Sequence, residues 1–383
     1  VTGSDVVCLG ESMVAFLPSR PGRLADVPSF TRAIGGAESN VACALAAAGH
    51  RVRWVGRVGA DGFGDHLVEA IAAYGVDTSA VRRDPLRPTG VYFRTAADRG
   101  TAAHEVVYHR AGSAASAMSP RTVPYEDLRS TRVLHLSGIT AALSPGCLAL
   151  VRDLTRPRPG RPLVSFDVNH RPELWRTAPA APTVLLDLAR GADVVFVGED
   201  EAAAAWSLRG ASAIREALPE PEVLVVKQGA RGATAFTRRA GHVPAPAPGS
   251  APARGRAPAP GPAPASGSAP ARGIAPAPGC APAGDIVVSV PAPRVDVVAA
   301  AGAGDAFAAG FLGATLRGLG LRARLRHGHL VAAAALTVPG DLAAPPGAAL
   351  ADRLAALDDD SWGRLHLGPG WTRTGEDLEV RTP

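Results

Sequence analysis

Short apolar runs alternate with longer amphipathic ones along most of this chain. VVCLG (6–10) is apolar and closed by glycine. AESNVACALAAAG (37–49) then places Val41, Leu45 and Ala48 on one face and stops at Gly49, the pattern of a helix. VRWVGRVG (52–59) predicts a strand, and DGFGDHLVEAIAAYG (61–75) a second helix that also ends on glycine. Strand patterns recur at RVLHLSG (132–138), PLVSFDV (162–168), ADVVFVG (192–198) and EVLVVKQG (222–229), most of them followed by helical ones. This alternation predicts an α/β fold, a mainly parallel sheet with helices on both faces. TGVYFRTA (89–96) and HEVVYHR (104–110) break the rhythm, with no helix between them. They predict a small β-layer attached to the main sheet.

One segment fits neither pattern. Residues 243–284 form a Pro/Ala/Gly tract with SAPARG at 250–255 and again at 268–273. Proline at this density excludes helix and ladder pairing and leaves extended or disordered chain. Strand-like sequence resumes after it, so it reads as an inert low-complexity insertion at a surface turn of one domain spanning 1–383.

Composition narrows the function classes. The chain has 383 residues, 46% of them hydrophobic, enough for a large core. Net charge is +5, yet no block of basic residues exists, so nucleic-acid binding has little support. A few arginines around a small anion account for the balance as well. Lys227 is the only lysine. Cys8, Cys43, Cys147 and Cys280 lie far apart, without metal or redox spacing, which suits a reducing compartment. No secretory signal and no apolar run near 18 residues is visible, so the expectation is a cytoplasmic protein with no membrane partner.

Candidate chemistry gathers where strands end, the place where open α/β sheets bind ligands. Asp167, Asn169 and Arg171 follow one strand, Glu199, Asp200 and Glu201 another, and Lys227 and Gly229 a third. GAGD (302–305) is more specific. Gly302, Ala303 and Gly304 can turn backbone N–H groups inward as an anion hole, at the positive end of a helix expected over 305–317. Acids favour helix starts on their own account, but an acid beside an anion hole also suits phosphoryl transfer to an alcohol. Asp305 would accept the hydroxyl proton while N–H groups stabilise charge on the phosphoryl group.

With these motifs the sequence resembles the ribokinase-like, phosphofructokinase-B-type carbohydrate kinases. The likeness covers nearly the whole chain except the Pro/Ala tract. It rests on GGAESNVACALAAAG (35–49), VGRVGADGFGDHL (55–67), FVGEDEA (196–202), VVKQGARGA (225–233) and GAGDAFAAGF (302–311). GESMVAFLP, TGVYF, VVYHRAGSAAS, HLSGITAALSP and DVNHRPELW are similar to the 2-keto-3-deoxygluconate kinase branch. The resemblance implies a ribokinase-like fold whose lid strands lie within about 10–34 and 89–110. It implies a sugar-acid site of Gly36, Tyr92, Tyr108, Arg110, Ile139 and Arg171, with Asn40 as a further hydroxyl contact and Asp305 as base. It implies ATP bordered by Lys227, Gly229, Gly232, Gly302, Gly304 and His329, and Mg²⁺ near Glu201, reached through water. A homo-oligomer joined through the lid strands is also implied. The two arginines suit a carboxylate, which a guanidinium binds as a fork.

The nucleotide side departs from the family pattern. Ala299, Ala300 and Ala301 precede GAGD where an Asp usually opens the motif, Gly198 stands in place of Asn or Ser, and His329 in place of Asn. A three-residue insertion would instead make Asp296 the family acid. The leading expectation is a kinase acting on the terminal hydroxyl of 2-keto-3-deoxygluconate. A kinase for fructose, ribose or a ketogluconate, and a sugar-acid-binding homologue that transfers no phosphate, remain as alternatives.

Overall fold

The computed structural model describes residues 3–20, 22–95, 106–176, 181–238 and 284–373. Most of the expected Pro/Ala tract lies outside the described residues.

Eight strands form the main sheet. In spatial order they are Asp285–Val290, Ala233–Arg238, Val223–Lys227, Val194–Gly198, Leu163–Asp167, Thr131–Ser137, Ser4–Leu9 and Val52–Val55. The last six are parallel and the first two antiparallel, as the βα alternation predicts. These strands read as continuous apolar runs because both faces are covered. Alternate side chains feed two cores: Val6, Cys8, Phe196 and Val225 on one face, Val7, Leu9, Val197 and Val226 on the other.

The first core holds the helix Ala303–Leu316, which carries GAGD. Phe307 and Phe311 meet the ring of Phe196 edge-on, with centroids 6.4 Å and 5.3 Å apart. Losing Phe311, which is fully buried, would cost about 3–5 kcal/mol. The run of small residues in AFAAGF lets the next helix, Leu321–Leu336, pack close: a Cβ at Gly310 would collide with the carbonyl of His327.

VRWVGRVG is not one strand. It splits at Gly56, where a Cβ would strike the Trp54 ring, and Arg57–Gly59 leaves the main sheet to pair with Arg82–Asp84. The expected β-layer is a four-stranded sheet ordered Phe30–Gly35, Met13–Pro18, Val91–Arg94 and Val106–His109. One face carries Met13, Ala15 and Tyr92, the other an aromatic group in which Phe16 stacks on Phe93 at 4.7 Å.

The strands flanking the tract are antiparallel neighbours, with Arg238 opposite Asp285. The chain therefore leaves and returns at one end of a hairpin. Asp285 is locked there by a buried ion pair with Arg215 at 2.7 Å. Among the described residues, no helix is long and apolar enough to cross a membrane.

Candidate active site

Two helices start at one point. Ala37–Ala47 begins after Gly36, where a Cβ would strike the carbonyl oxygen of Glu11. Ala303–Leu316 begins after Gly302, which takes the left-handed conformation (φ +75°) and packs against the carbonyl of Asp341, so glycine is needed there twice over. Asn40 and Asp305, each in a first helical turn, meet with Asn40 Nδ2 donating to Asp305 Oδ2 at 2.9 Å. The positive ends of both helices thus face one place.

That place is a cleft of about 530 Å³ between the ends of the main sheet and the four-stranded sheet. Gly36, Asn40, Tyr92 and Tyr108 line it, and so do Arg110, Ile139, Arg171, Gly302 and Asp305. Every residue expected on the sugar side is therefore brought together. Glu38, fully buried, accepts from Ser137 Oγ at 2.7 Å and Thr140 Oγ1 at 2.6 Å, which fixes the turn carrying Ile139. Asn169 lines the cleft in a left-handed conformation (φ 40°) that few non-glycine residues adopt.

Burial pushes the Asp305 carboxyl up to about 7. The Asn40 hydrogen bond opposes this, Asp167 adds to it, and Lys227 and Arg171 pull it back. A carboxylate poised near neutral pH is what a general base requires.

Lys227 lies beside the Gly302–Gly304 turn, 3.5 Å from where a Cβ of Gly304 would be, and donates to Asp167 Oδ2 at 2.8 Å. Burial works against its ammonium, but Asp167, Glu201 and Asp305 outweigh that and hold its pKa above the usual value. Lys227 and Gly229 also border a second hollow of about 490 Å³, with Glu199, Arg209 and Arg231 on its walls. Glu201 Oε2 accepts from the N–H of Gly198 at 2.8 Å, closing the helix start, and Oε1 lies 3.5 Å from Arg171 Nη1. Burial raises its pKa against the pull of Lys227.

Two expectations need correction. Arg110 is not an open fork: it is paired with Glu11, and both side chains are buried. Arg171 is the freer cation, its side chain 46% exposed. His329 does not face either hollow. It is buried between Phe307 and Trp362, with Nε2 3.2 Å from the carbonyl of Val290, and burial pushes its pKa down to about 4. Its bulk fills the core behind Val290, the residue on which Gly232 packs. Tyr92 is buried, whereas Tyr108 is 47% exposed, its ring 5.5 Å from that of Tyr92.

The structure also decides where Asp296 lies. Its Oδ1 is 2.9 Å from His366 Nε2, on the small strand pair Arg294–Val295 and His366–Leu367. The acid that an insertion would bring to the loop is thus engaged elsewhere, and Ala301 with Gly302 borders the cleft.

Sequence reasoning passed over Glu11, Arg94 and Asp341. Glu11 lies just past the end of the first strand, Ser4–Leu9, the kind of position that picks out Asp167 and Glu199. Asp341 is a lone acid between glycine, proline and alanine, an unexplained charge in an apolar stretch.

A model of the pfkB family of carbohydrate kinases matches residues 4–251 and 277–346. A 2-dehydro-3-deoxygluconokinase from Thermoproteus tenax is 34% identical over 235 residues, 61% of this chain and 71% of that protein. One from Bacillus subtilis (strain 168) is 36% identical over 200 residues, 51% of this chain and 60% of that protein. Fructokinases are similar too, such as probable fructokinase-6 of Arabidopsis thaliana, 29% identical over 51% of each chain. The match thus spans less than two thirds of the Bacillus and Arabidopsis proteins. Among solved structures, a PfkB protein from Polaromonas sp. JS666 superposes with a TM-score of 0.70 at 30% identity, covering 92% of this chain and 100% of that one.

Proposed function

Because this chain belongs to the pfkB family of carbohydrate kinases, which phosphorylate sugars, we propose that it transfers the γ-phosphoryl group of ATP to the terminal hydroxyl of 2-keto-3-deoxygluconate. The observation that carries this reading is the Asn40–Asp305 pair at the mouth of the Gly302 turn, facing Arg171 across one cleft.

In the reaction the sugar hydroxyl gives its proton to Asp305. Its oxygen forms a bond to the γ-phosphorus as the bond from phosphorus to the ADP oxygen breaks. Asn40 holds the carboxylate in line, and the N–H groups of Gly302, Ala303 and Gly304 bear the charge that develops. Lys227 sits at the same turn, its charge shared with Asp167. The lid strands carrying Tyr92 and Tyr108 cover the sugar and exclude water. Arg171 meets the sugar-acid carboxylate. Arg110, its charge balanced by Glu11, supplies directed N–H groups more than net charge.

Magnesium fits this site only when it arrives on the nucleotide. Among the described residues no group of three or more acids, histidines or cysteines could hold a metal. Mg²⁺ commonly keeps several waters and binds through phosphates with one or two carboxylates. Glu201 would be the acid to meet those waters, and the ion would neutralise phosphate charge. The three described cysteines are buried and unpaired, which fits a cytoplasmic enzyme.

Fructose is the second reading, favoured by the fructokinase relatives and by the balanced charge of Arg110. Calorimetry separates the two. The sugar acid should bind at least about tenfold more tightly than fructose, and an unreactive ATP analogue should bind as well. Equal affinity for the two sugars would favour the second reading.

A further inference from the structure

One residue joins the lid to the anion-hole turn. The hydroxyl of Tyr92 donates to Asp341 Oδ2 at 2.8 Å, and Arg94 Nη2 lies 2.8 Å from Asp341 Oδ1. Both contacts come from the lid strand Val91–Arg94. Arg94 Nη2 also donates to the carbonyl of Pro339 at 3.0 Å, so the guanidinium holds the backbone of this segment as well as its acid. On its other side, the carbonyl of Asp341 packs against Gly302, closely enough to exclude a Cβ there. The Arg94 and Asp341 side chains are only 7% and 13% exposed, so the pair is little screened by water.

We propose that Arg94 is a positioning residue that, through Asp341, fixes the Gly302 turn relative to the lid. The tie of Arg110 to Glu11 ends on the sugar side of the cleft; this one ends at the turn that receives the phosphoryl group. A lid strand displaced by loss of Arg94 would release Asp341, and with it the backbone against which Gly302 holds its left-handed turn. The reacting N–H groups would then drift, and small misplacements of such groups are costly. The inference rests on the kinase reading but not on which sugar is used.

The test uses the full chain with Arg94→Met and Arg94→Lys, read first by amide hydrogen exchange without substrates. Arg94→Met should speed exchange by about threefold or more both at 91–94 and at 302–305, with 223–227 unchanged. Arg94→Lys, which keeps the charge, should restore most of the protection. With ATP and 2-keto-3-deoxygluconate, Arg94→Met should lower kcat by about 10–100-fold and move the KM for ATP less than about threefold. Faster exchange at 91–94 alone, or no rescue by lysine, would overturn the proposal. Should Arg94→Met fail to fold, the double variant Arg94→Met/Asp341→Asn leaves no unpaired charge. It should show the same paired rise, and its absence would equally overturn the proposal. Because the exchange readout needs no sugar, it stands or falls apart from the choice of substrate.

Discussion

Asn40 and Asp305, 265 residues apart in sequence, share a 2.9 Å hydrogen bond at the meeting point of two helix starts. The bond does two things. It aims the carboxylate into the cleft, and it favours the charged form of a group that burial drives toward the neutral one. Replacing Asp305 with Asn keeps the shape and removes the proton acceptor. The kcat should fall by about 10²–10⁴-fold while sugar binding is largely kept. Near-normal turnover would remove Asp305 as the base.

The pH dependence follows from the same group. Its folded pKa, about 7, lies above the ordinary 3.8. The base must be ionised, so kcat/KM should rise with pH and level off above about 7. Asn40→Ala removes a contact that lowers the pKa, so the inflection should move to higher pH. Stability moves the opposite way from activity. Between pH 3.8 and 7 the folded state keeps a proton that the unfolded chain has lost, so stability falls as pH rises through that window. Asp305→Asn should therefore melt at a higher temperature than the parent at pH 8, and the difference should vanish near pH 4. An equal difference at both pH values would mean that another group sets the trend.

Arg171 should set the preference for acids. Arg171→Ala should cost about 2–5 kcal/mol of sugar-acid binding and less for a neutral sugar of the same length. Arg110→Ala should weaken both sugars alike, because it strands the buried carboxylate of Glu11 and disturbs the site itself. If Arg171→Ala affected both sugars equally, its role would be structural.

The alanine run before GAGD has a measurable consequence. Asp296 is turned to His366, and Ala299 stands where the resemblance expects an acid to open the motif. The enzyme should therefore need high Mg²⁺. Ala299→Asp should lower the Mg²⁺ concentration for half-maximal rate and leave the KM for the sugar acid nearly unchanged. No response to Ala299→Asp, with loss of the magnesium dependence in Asp296→Ala, would reverse the assignment.

Much of this architecture is legible in the sequence because the parallel strands are buried on both faces and announce themselves as apolar runs. Much of the cleft's lining is legible because motifs at strand ends and helix starts are local. What escapes is non-local or depends on pairing. VRWVGRVG reads as one strand, but its second part, Arg57–Gly59, pairs with the distant Arg82–Asp84. Arg110 looks available until Glu11, 99 residues away, is seen to occupy it. His329 sits at a plausible ligand position in the sequence, but its ring is spent on Phe307, Trp362 and Val290. The strands on either side of the tract pair antiparallel, with Arg238 opposite Asp285.

The most direct test of the whole account is the product formed from ATP across a panel of sugars and sugar acids, identified by mass and by the position of the phosphate. The account predicts that 2-keto-3-deoxygluconate gains one phosphate on its terminal hydroxyl, with kcat/KM at least about tenfold above that for fructose or ribose. Equal or faster phosphorylation of a neutral sugar, or binding of the sugar acid with no transfer at any Mg²⁺ concentration, would contradict it.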